Sequence, residues 1–374
     1  MEQRLAGRML QTGRDVLVVG GGIVGLLSAL ELARSGCRVR LLEMATVGRA
    51  SSWAGGGILS PLYPWRYPDG VTGLARWSQG VYAELAARLR DEGGVDPEWT
   101  QNGMLMLDTS DQVTASAWAE RFGCRLEILD GPGLRQCEPA LAEGSTAALW
   151  MADVAQVRNP RLVQAARQAL VRQGGRIEED CEVTGLQVGG GHVSGVRTKR
   201  GEIGADVVVV AAGAWSGRLL AELAVRPEIR PVRGQMLLFR GPPGLVSRII
   251  LGPRHYVIPR RDGRVLVGST MEEVGFDSTT TAAAREELLA AAVGLVPALA
   301  GCALEQHWAG LRPGSPDGTP YIGEHPEVAG LYLNSGHFRN GVVMAPASAR
   351  LLADLVLGRV PILDPAPYGV RRYQ

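Results

Sequence analysis

The fold is decided by one stretch near the start of the chain, Asp15-Val16-Leu17-Val18-Val19-Gly20-Gly21-Gly22-Ile23-Val24-Gly25. Its apolar residues predict a short buried strand, and the spacing Gly20-x-Gly22-x-x-Gly25 then opens a helix. Gly20 turns the chain tightly, Gly22 lets the backbone approach a pyrophosphate, and Gly25 lets the helix pack close to the strand. Free N–H groups and the positive dipole end at the helix N-terminus suit phosphate. The stretch therefore predicts a dinucleotide lying across the tip of the first strand.

The residues that follow complete a β-α-β unit. Apolar spacing carries the helix on to Gly36, and a second strand, Arg38–Leu42, ends at Glu43. An acidic side chain at this distance binds the hydroxyl pair of a ribose. An acid in place of an arginine also argues against a 2′-phosphate, which leaves FAD or NAD as the dinucleotide.

The bulk properties describe an ordinary globular protein. The 374 residues exceed one typical domain, and the content is 46% apolar and 21% charged. A net charge of +1 gives no electrostatic reason to expect nucleic acid or an anionic membrane as a partner. We expect no signal peptide, no membrane span and no metal site. Five scattered cysteines without Cys-x-x-Cys spacing favour reduced thiols and a cytoplasmic location.

Patterns further along the chain predict two interleaved domains. A second continuous apolar strand, 206–210, also ends in a glycine turn, whereas 232–270 alternates as antiparallel strands. We therefore predict an α/β protein in which a Rossmann-like FAD-binding or NAD-binding domain is interleaved with an antiparallel-sheet α+β substrate domain. The expected bounds are 15–85, 150–225 and 325–360 for the first domain, 86–149 and 226–324 for the second, and 1–14 for an N-terminal extension.

Local patterns predict further elements. Asn159-Pro160 begins a helix, because Asn caps helices and Pro fits the first turn. A β-hairpin turns around 189–191, and a helix runs from about Gly341 to Leu357. The glycine-rich and serine-rich stretch 48–57 is either a flexible surface loop or backbone packed against a flat cofactor ring. The preceding dinucleotide motif favours the second interpretation.

Several segments in combination resemble a known family. They are Gly20 to Glu43, Ser51 to Gly57, Val209 to Ser216, Tyr256 to Arg260, Val267 to Glu272, Trp308 to Gly318, His337 to Gly341, and Ala345 to Ala347. The chain resembles the FAD-dependent amine oxidoreductases of the D-amino-acid oxidase superfamily, and within it the bacterial glycine oxidases most closely. The resemblance covers essentially residues 15–360.

The resemblance implies a set of FAD contacts. The cofactor would be held by Gly20, Gly22, Ile23, Val24, Gly25, Glu43, Met44, Ala50, Ser51, Gly55, Gly56, Gly57, Val183, Ala212, Gly213, His337, Phe338, Arg339, Asn340, Gly341, Val342 and Val343. Trp53 and Gly55 stand where the family more often has alanine, so the entrance is expected to differ in shape. No Cys occupies the C-terminal turns where sarcosine oxidases attach flavin, so non-covalent FAD is expected.

The resemblance also implies the substrate contacts. Arg312 would hold the substrate carboxylate, since a planar guanidinium suits bidentate capture, although an arbitrary arginine usually forms a structural salt bridge. Tyr256, Met271 and Arg339 would form the pocket wall. A core-packing role remains open for Tyr256 and Met271, and Arg339 serves equally well as a brace for the flavin turn. We assign no residue as an acid or base, because a lone histidine is more often packed than catalytic.

The implied activity is oxidative deamination of glycine, with sarcosine and small D-amino acids as further candidates. Hydride leaves Cα for flavin N5, water hydrolyses the imino acid, and O₂ takes the electrons to give H₂O₂. The resemblance further implies a role in thiamine thiazole biosynthesis and a homo-oligomer. Two alternatives stay open: a D-amino-acid or sarcosine dehydrogenase that passes electrons to a quinone or protein, and a non-catalytic flavin-binding or NAD-binding protein.

Overall fold

The chain folds around two large β-sheets, as seen in a computed structural model that describes residues 13–372. The strands are β1 (Asp15–Val19), β2 (Arg38–Leu42), β3 (Thr100–Gln101), β4 (Met104–Met106), β5 (Glu127–Asp130), β6 (Ala147–Met151), β7 (Ala155–Gln156), β8 (Arg176–Glu178), β9 (Val183–Gly189), β10 (His192–Thr198), β11 (Gly201–Gly204), β12 (Val207–Val210), β13 (Arg230–Arg240), β14 (Ile249–Leu251), β15 (Tyr256–Pro259), β16 (Arg264–Gly268), β17 (Ala303–Gly314), β18 (Tyr321–His325) and β19 (Val328–Ser335). The helices are α1 (Ile23–Arg34), α2 (Ser51–Ala54), α3 (Asp69–Gly93), α4 (Gln112–Phe122), α5 (Gly131–Cys137), α6 (Asn159–Arg172), α7 (Ser216–Leu219), α8 (Ala282–Leu295) and α9 (Gly341–Leu357). The expected N-terminal extension, 1–14, lies outside the described residues except for its last two.

The first sheet is the predicted dinucleotide-binding sheet. Its strand order is β11-β10-β19-β12-β1-β2-β8, with β9 paired to β10 and β18 paired to β19. The central strands β19, β12, β1, β2 and β8 run parallel to one another. Strands β1 and β12 are apolar on both faces because both faces are covered. The Rossmann-like prediction is thereby confirmed.

Each face of this sheet has its own apolar core. On one face, Val16 and Val18 share a core with α1, α3, α6 and α9. On the other face, Leu17 and Val19 pack with residues of the β9–β10 hairpin. The hairpin was predicted around 189–191, and it forms there. This layering leaves the carboxyl ends of the parallel strands as the open edge of the sheet.

Helix α9 lies in the interior. The segment Phe338–Leu357 is long and apolar enough to cross a membrane by length and composition, yet 72% of its apolar window is buried inside the fold. It packs between α1 and α3. Burial of this kind is typical of the core helix of a globular protein.

The second sheet is the one predicted for the substrate domain. Its order is β17-β13-β16-β15-β14-β4-β6-β5, and helix α8 packs against β13 and β16. The sheet is antiparallel, as predicted, apart from one parallel pair, β4 with β14. That pair joins two segments far apart in sequence, so alternation along the chain could not reveal it.

Asn159 differs from its predicted role as a helix cap. Arg158 occupies the N-cap position, and Asn159 is the first residue of α6. Its side-chain amide instead donates a 2.8 Å hydrogen bond to the carbonyl of Ser52, within the stretch 48–57. The residue therefore supports the loop that was predicted to face the cofactor.

Candidate active site

A cleft of about 530 Å³ opens at the carboxyl ends of β1, β2, β12 and β19 and extends to the start of α9. Ligands of open parallel sheets bind at this edge. Most residues expected to contact the dinucleotide lie on its wall: Gly20, Gly22, Ile23, Val24, Glu43, Met44, Ala50, Ser51, Gly55, Val183, Ala212, Gly213, His337, Phe338, Arg339, Gly341 and Val342. The structure therefore brings together segments that are spread over some 320 residues of sequence.

Five expected contact residues lie elsewhere. Gly25 faces the strand, where an added Cβ would be 2.0 Å from the carbonyl oxygen of Gly20, in keeping with its predicted packing role. Asn340 and Val343 are buried behind the wall. The remaining two, Gly56 and Gly57, line a smaller adjoining chamber.

The phosphate end of the cleft is built by backbone geometry. Gly20 has φ +110°, and an added Cβ would lie 2.4 Å from the Ala211 carbonyl oxygen. The Glu43 carboxylate accepts hydrogen bonds from the backbone N–H groups of Gly21, at 2.8 Å, and Ala45, at 3.1 Å. Each carboxylate oxygen keeps lone pairs for further donors, so Glu43 is held in place and can still accept hydroxyl groups.

Sequence reasoning missed several residues of this wall. Ser52 is the most informative, because its hydroxyl accepts a 2.8 Å hydrogen bond from the N–H of Ile23, at the start of α1. Others that line the cleft are Thr184, Trp215, Arg218, Asn334 and Ser335. No local spacing marks them, since they lie on separate strands and turns that only the tertiary fold brings to the cleft.

The adjoining chamber holds about 90 Å³ and meets the cleft at Arg312, Arg339 and the Ser51–Gly55 segment. Glycines form much of its wall, at 55–57, 234 and 310. The titratable side chains on that wall are Tyr256, Arg312 and Arg339. The chamber thus suits a ligand of a few heavy atoms that carries a negative charge.

Arg312 presents its guanidinium without an acidic partner among the described residues. It donates to the hydroxyl of Ser269 at 2.6 Å and to the carbonyls of Thr270 and Arg233 at 3.2 and 3.3 Å. Burial lowers the pKa of this guanidinium, and the nearby charge of Arg339 acts in the same direction. A part-buried cation that is held by neutral groups suits a carboxylate ligand.

Arg339 is the point where the cavities meet. It lines the cleft, the chamber and a third cavity of about 460 Å³. Within residues 13–372 it forms no hydrogen bond or ion pair with protein. Its guanidinium is thereby available to an anion in the chamber.

Met271 lies outside the chamber that it was expected to wall. It is 62% exposed and lines the third cavity, beside Arg339. The two preceding residues are the ones that contact Arg312, Ser269 through its hydroxyl and Thr270 through its backbone carbonyl. Tyr256, by contrast, is buried in the chamber wall, with its hydroxyl 3.8 Å from the sulfur of Met236.

Replacing Gly234 by Ala should displace Arg312. An added Cβ would lie 2.2 Å from a terminal nitrogen of that guanidinium, which can move because it is the end of a flexible side chain. We expect a stable protein that keeps its dinucleotide and whose kcat/KM for a carboxylate substrate falls on the order of 10- to 100-fold, mainly through KM. Gly204→Ala is the matched control, because its Cβ would meet only the Ser194 carbonyl oxygen, at 3.7 Å. Equal kinetics in the two variants would contradict the prediction.

His337 is neutral in the folded protein. It is buried, its Nε2 lies 2.9 Å from the hydroxyl of Ser348, and burial lowers its pKa to about 3. The unfolded chain, with an imidazole pKa of 6.5, takes up a proton as the pH falls, whereas the folded chain does not. Between pH 6.5 and pH 3, His337 should therefore lower the free energy of unfolding by about 1.4 kcal/mol for each unit by which the pH decreases.

Urea unfolding at pH 7 and pH 5 tests this pH dependence. Wild-type protein should lose about 2 kcal/mol through His337 over that interval, and His337→Gln should lack this part of the loss. An identical loss in both proteins would show that His337 is already protonated, or exposed, in the folded state.

The parallel sheet, the glycine turn at the helix N-terminus and a cation-lined chamber beside the cleft define a protein that binds a dinucleotide and a small anionic ligand. The model of the FAD dependent oxidoreductase family matches residues 15–355, and the chain belongs to that family. Its cofactor is FAD, and the Rossmann turn with Glu43 at the cleft fits that molecule.

Individual relatives match over nearly the whole chain. Glycine oxidase of Pseudomonas putida is 49% identical over 95% of this chain and 98% of its own length. The bifunctional protein ThiO/ThiG of Synechocystis sp. is 35% identical over 93% of this chain and 52% of its own length. The crystal structure of glycine oxidase from Geobacillus kaustophilus superimposes with a TM-score of 0.92 at 30% identity, covering 97% of this chain and all of that one.

Proposed function

We propose that this enzyme is a glycine oxidase, which converts glycine, O₂ and water to glyoxylate, ammonia and H₂O₂. The observation that carries the proposal is Arg312, a guanidinium without an acidic partner among the described residues, at the junction of a dinucleotide cleft and a chamber of about 90 Å³. The similarity to glycine oxidases supports it. Sarcosine and small D-amino acids remain secondary candidate substrates.

The residues of the chamber would act by orientation. Arg312 binds the carboxylate and Tyr256 closes the far side, so the Cα–H bond points towards the cleft. Arg339 would add a second cation beside the carboxylate. Bound FAD supplies a hydride acceptor and a route for electrons to O₂. The wall offers no Asp, Glu, His, Lys or Cys among the described residues, so orientation is the contribution we assign to it.

The residue assignments belong to the proposal as well. We retain the expected FAD contacts on the cleft wall and the substrate contacts Arg312, Tyr256 and Arg339, and we place Met271 at the outer cavity. The proposed domain bounds also remain, although α3 (Asp69–Gly93) runs across the boundary between 85 and 86.

Three wider features rest on the resemblance. They are a role in thiamine thiazole biosynthesis, a homo-oligomeric assembly and a cytoplasmic location. Free thiols at all five cysteines support the last of these. Light scattering of the purified protein tests the assembly directly.

The visible spectrum of the purified protein tests the activity. We expect a bound-flavin band that glycine bleaches under anaerobic conditions and that air restores rapidly, with formation of H₂O₂. Parallel mixtures with sarcosine, D-alanine and L-alanine rank the substrates. Sluggish recovery in air would instead support the dehydrogenase, and a flavin band that none of the four bleaches would overturn the proposal.

A further inference from the structure

Arg260 carries a buried guanidinium that the proposed chemistry does not use. The residue follows β15 and is 9% exposed. It donates to the side-chain oxygen of Gln156 at 2.5 Å, to the carbonyl of Val157 at 2.9 Å and to the carbonyl of Gly56 at 2.8 Å. One side chain thus joins three separate segments: the stretch 48–57, the β7 region and the end of β15.

The charge of Arg260 is unusual for such a position. No carboxylate among the described residues forms a hydrogen bond with it, and Glu98 and Asp262 act on it only at longer range. Burial, followed by the like charge of Arg158, lowers its pKa to about 10, which leaves it protonated near neutral pH. Burying a cation costs several kcal/mol, so the hydrogen bonds of Arg260 to three neutral oxygens offset a desolvation cost that a neutral side chain would not have.

The segment held by Arg260 forms part of the chamber wall. An added Cβ at Gly56 would lie 2.6 Å from Ile258 and 3.3 Å from the ring of Tyr256. At Gly57, with φ +77°, it would lie 2.1 Å from the Val157 carbonyl oxygen. Gly56 therefore lies directly against the strand that carries Tyr256, and Gly57 lies against Val157, with no room for a side chain at either position.

We propose that Arg260 is a positioning residue that sets the distance between the Gly55–Gly57 backbone and Tyr256, and so the depth of the substrate chamber. The inference rests on the proposed function, because the chamber is taken to hold the amino acid. A planar guanidinium suits this task, since its donors diverge at fixed angles towards the carbonyls of two different segments. A lysine ammonium would keep the charge but not this geometry.

The test is the rate of anaerobic flavin reduction by glycine, expressed per bound flavin, for holoenzyme carrying Arg260→Gln. We expect a fall of about 10- to 100-fold, because small misplacements of a reacting group have effects of this size. Arg260→Lys should give an intermediate rate, and it also serves if Arg260→Gln does not fold. Expressing the rate per flavin removes any loss of folded or loaded protein.

Arg248→Gln is the matched control. Arg248 also bridges backbone carbonyls, those of Cys137 and Asn102, and stacks on Trp150 away from the chamber. The rate of flavin reduction per bound flavin in Arg248→Gln should stay within about twofold of wild type. Its free energy of unfolding should fall, as that of Arg260→Gln does. Wild-type rates in both Arg260 variants would overturn the positioning role, whereas wild-type protein that glycine does not reduce would overturn the proposed function instead.

Discussion

Replacing Arg312 by Ala should greatly slow glycine-dependent flavin reduction while the protein keeps its FAD. Arg312 holds no acidic partner among the described residues, so its charge is available for the substrate carboxylate. Losing one partner of a charge-assisted pair costs about 2–5 kcal/mol, which corresponds to a loss of kcat/KM of about 30- to 5,000-fold. Stopped-flow reduction by glycine measures the loss, and the flavin absorbance per protein measures cofactor retention.

Two variants make the Arg312 result specific. Arg312→Lys keeps the charge but loses the bidentate fork, so its rate should lie between wild type and Arg312→Ala. Arg230→Ala removes an exposed arginine of the neighbouring strand β13, which pairs with Glu273, and should leave the rate unchanged. Normal reduction in Arg312→Ala would mean that the carboxylate binds elsewhere, with Arg339 as the next candidate.

The dinucleotide half of the fold could be predicted because its signals are local. The β1 strand, the glycine turn and Glu43 lie within 29 consecutive residues. Each of them indicates either a backbone conformation or a side chain that binds the ligand. The order of strands in the second sheet could not be predicted in the same way. The parallel contact of β4 with β14 joins residues about 145 positions apart, and no pattern within either strand encodes it.

The candidate site shows the same division between local and long-range signals. Arg312 was identified through resemblance, and its geometry is compatible with that role. For Arg260 the sequence shows only its place in a strand motif, because its contact with the carbonyl of Gly56 joins residues 204 positions apart. Asn159 was assigned as a cap for a good local reason, yet a contact with Ser52 determines its orientation. The orientation of a buried polar side chain depends on hydrogen bonds to backbone groups far away in sequence. The periodicity of apolar residues carries no information about such bonds.

Replacing Gly20 by Ala should remove both FAD binding and much of the stability. At φ +110° an L-residue is strained, and the added Cβ would lie 2.4 Å from the carbonyl oxygen of Ala211, which is backbone and cannot step aside. Relief requires β1 and β12 to separate where the phosphates would bind. The combined strain is on the order of 3 kcal/mol or more, a large part of the 5–15 kcal/mol that stabilises a typical protein.

Urea unfolding of the apoprotein and a fluorescence titration with FAD measure the two effects of Gly20→Ala separately. Gly189→Ala is the matched control, since that glycine lies in β9 and no atom of residues 13–372 lies within 4 Å of an added Cβ. The free energy of unfolding of this variant should differ from wild type by less than about 0.5 kcal/mol. A Gly20→Ala protein with wild-type stability and FAD affinity would mean that the turn tolerates a side chain. In that case the close contact between the glycine turn and the end of β12 would not determine the shape of the phosphate end of the cleft.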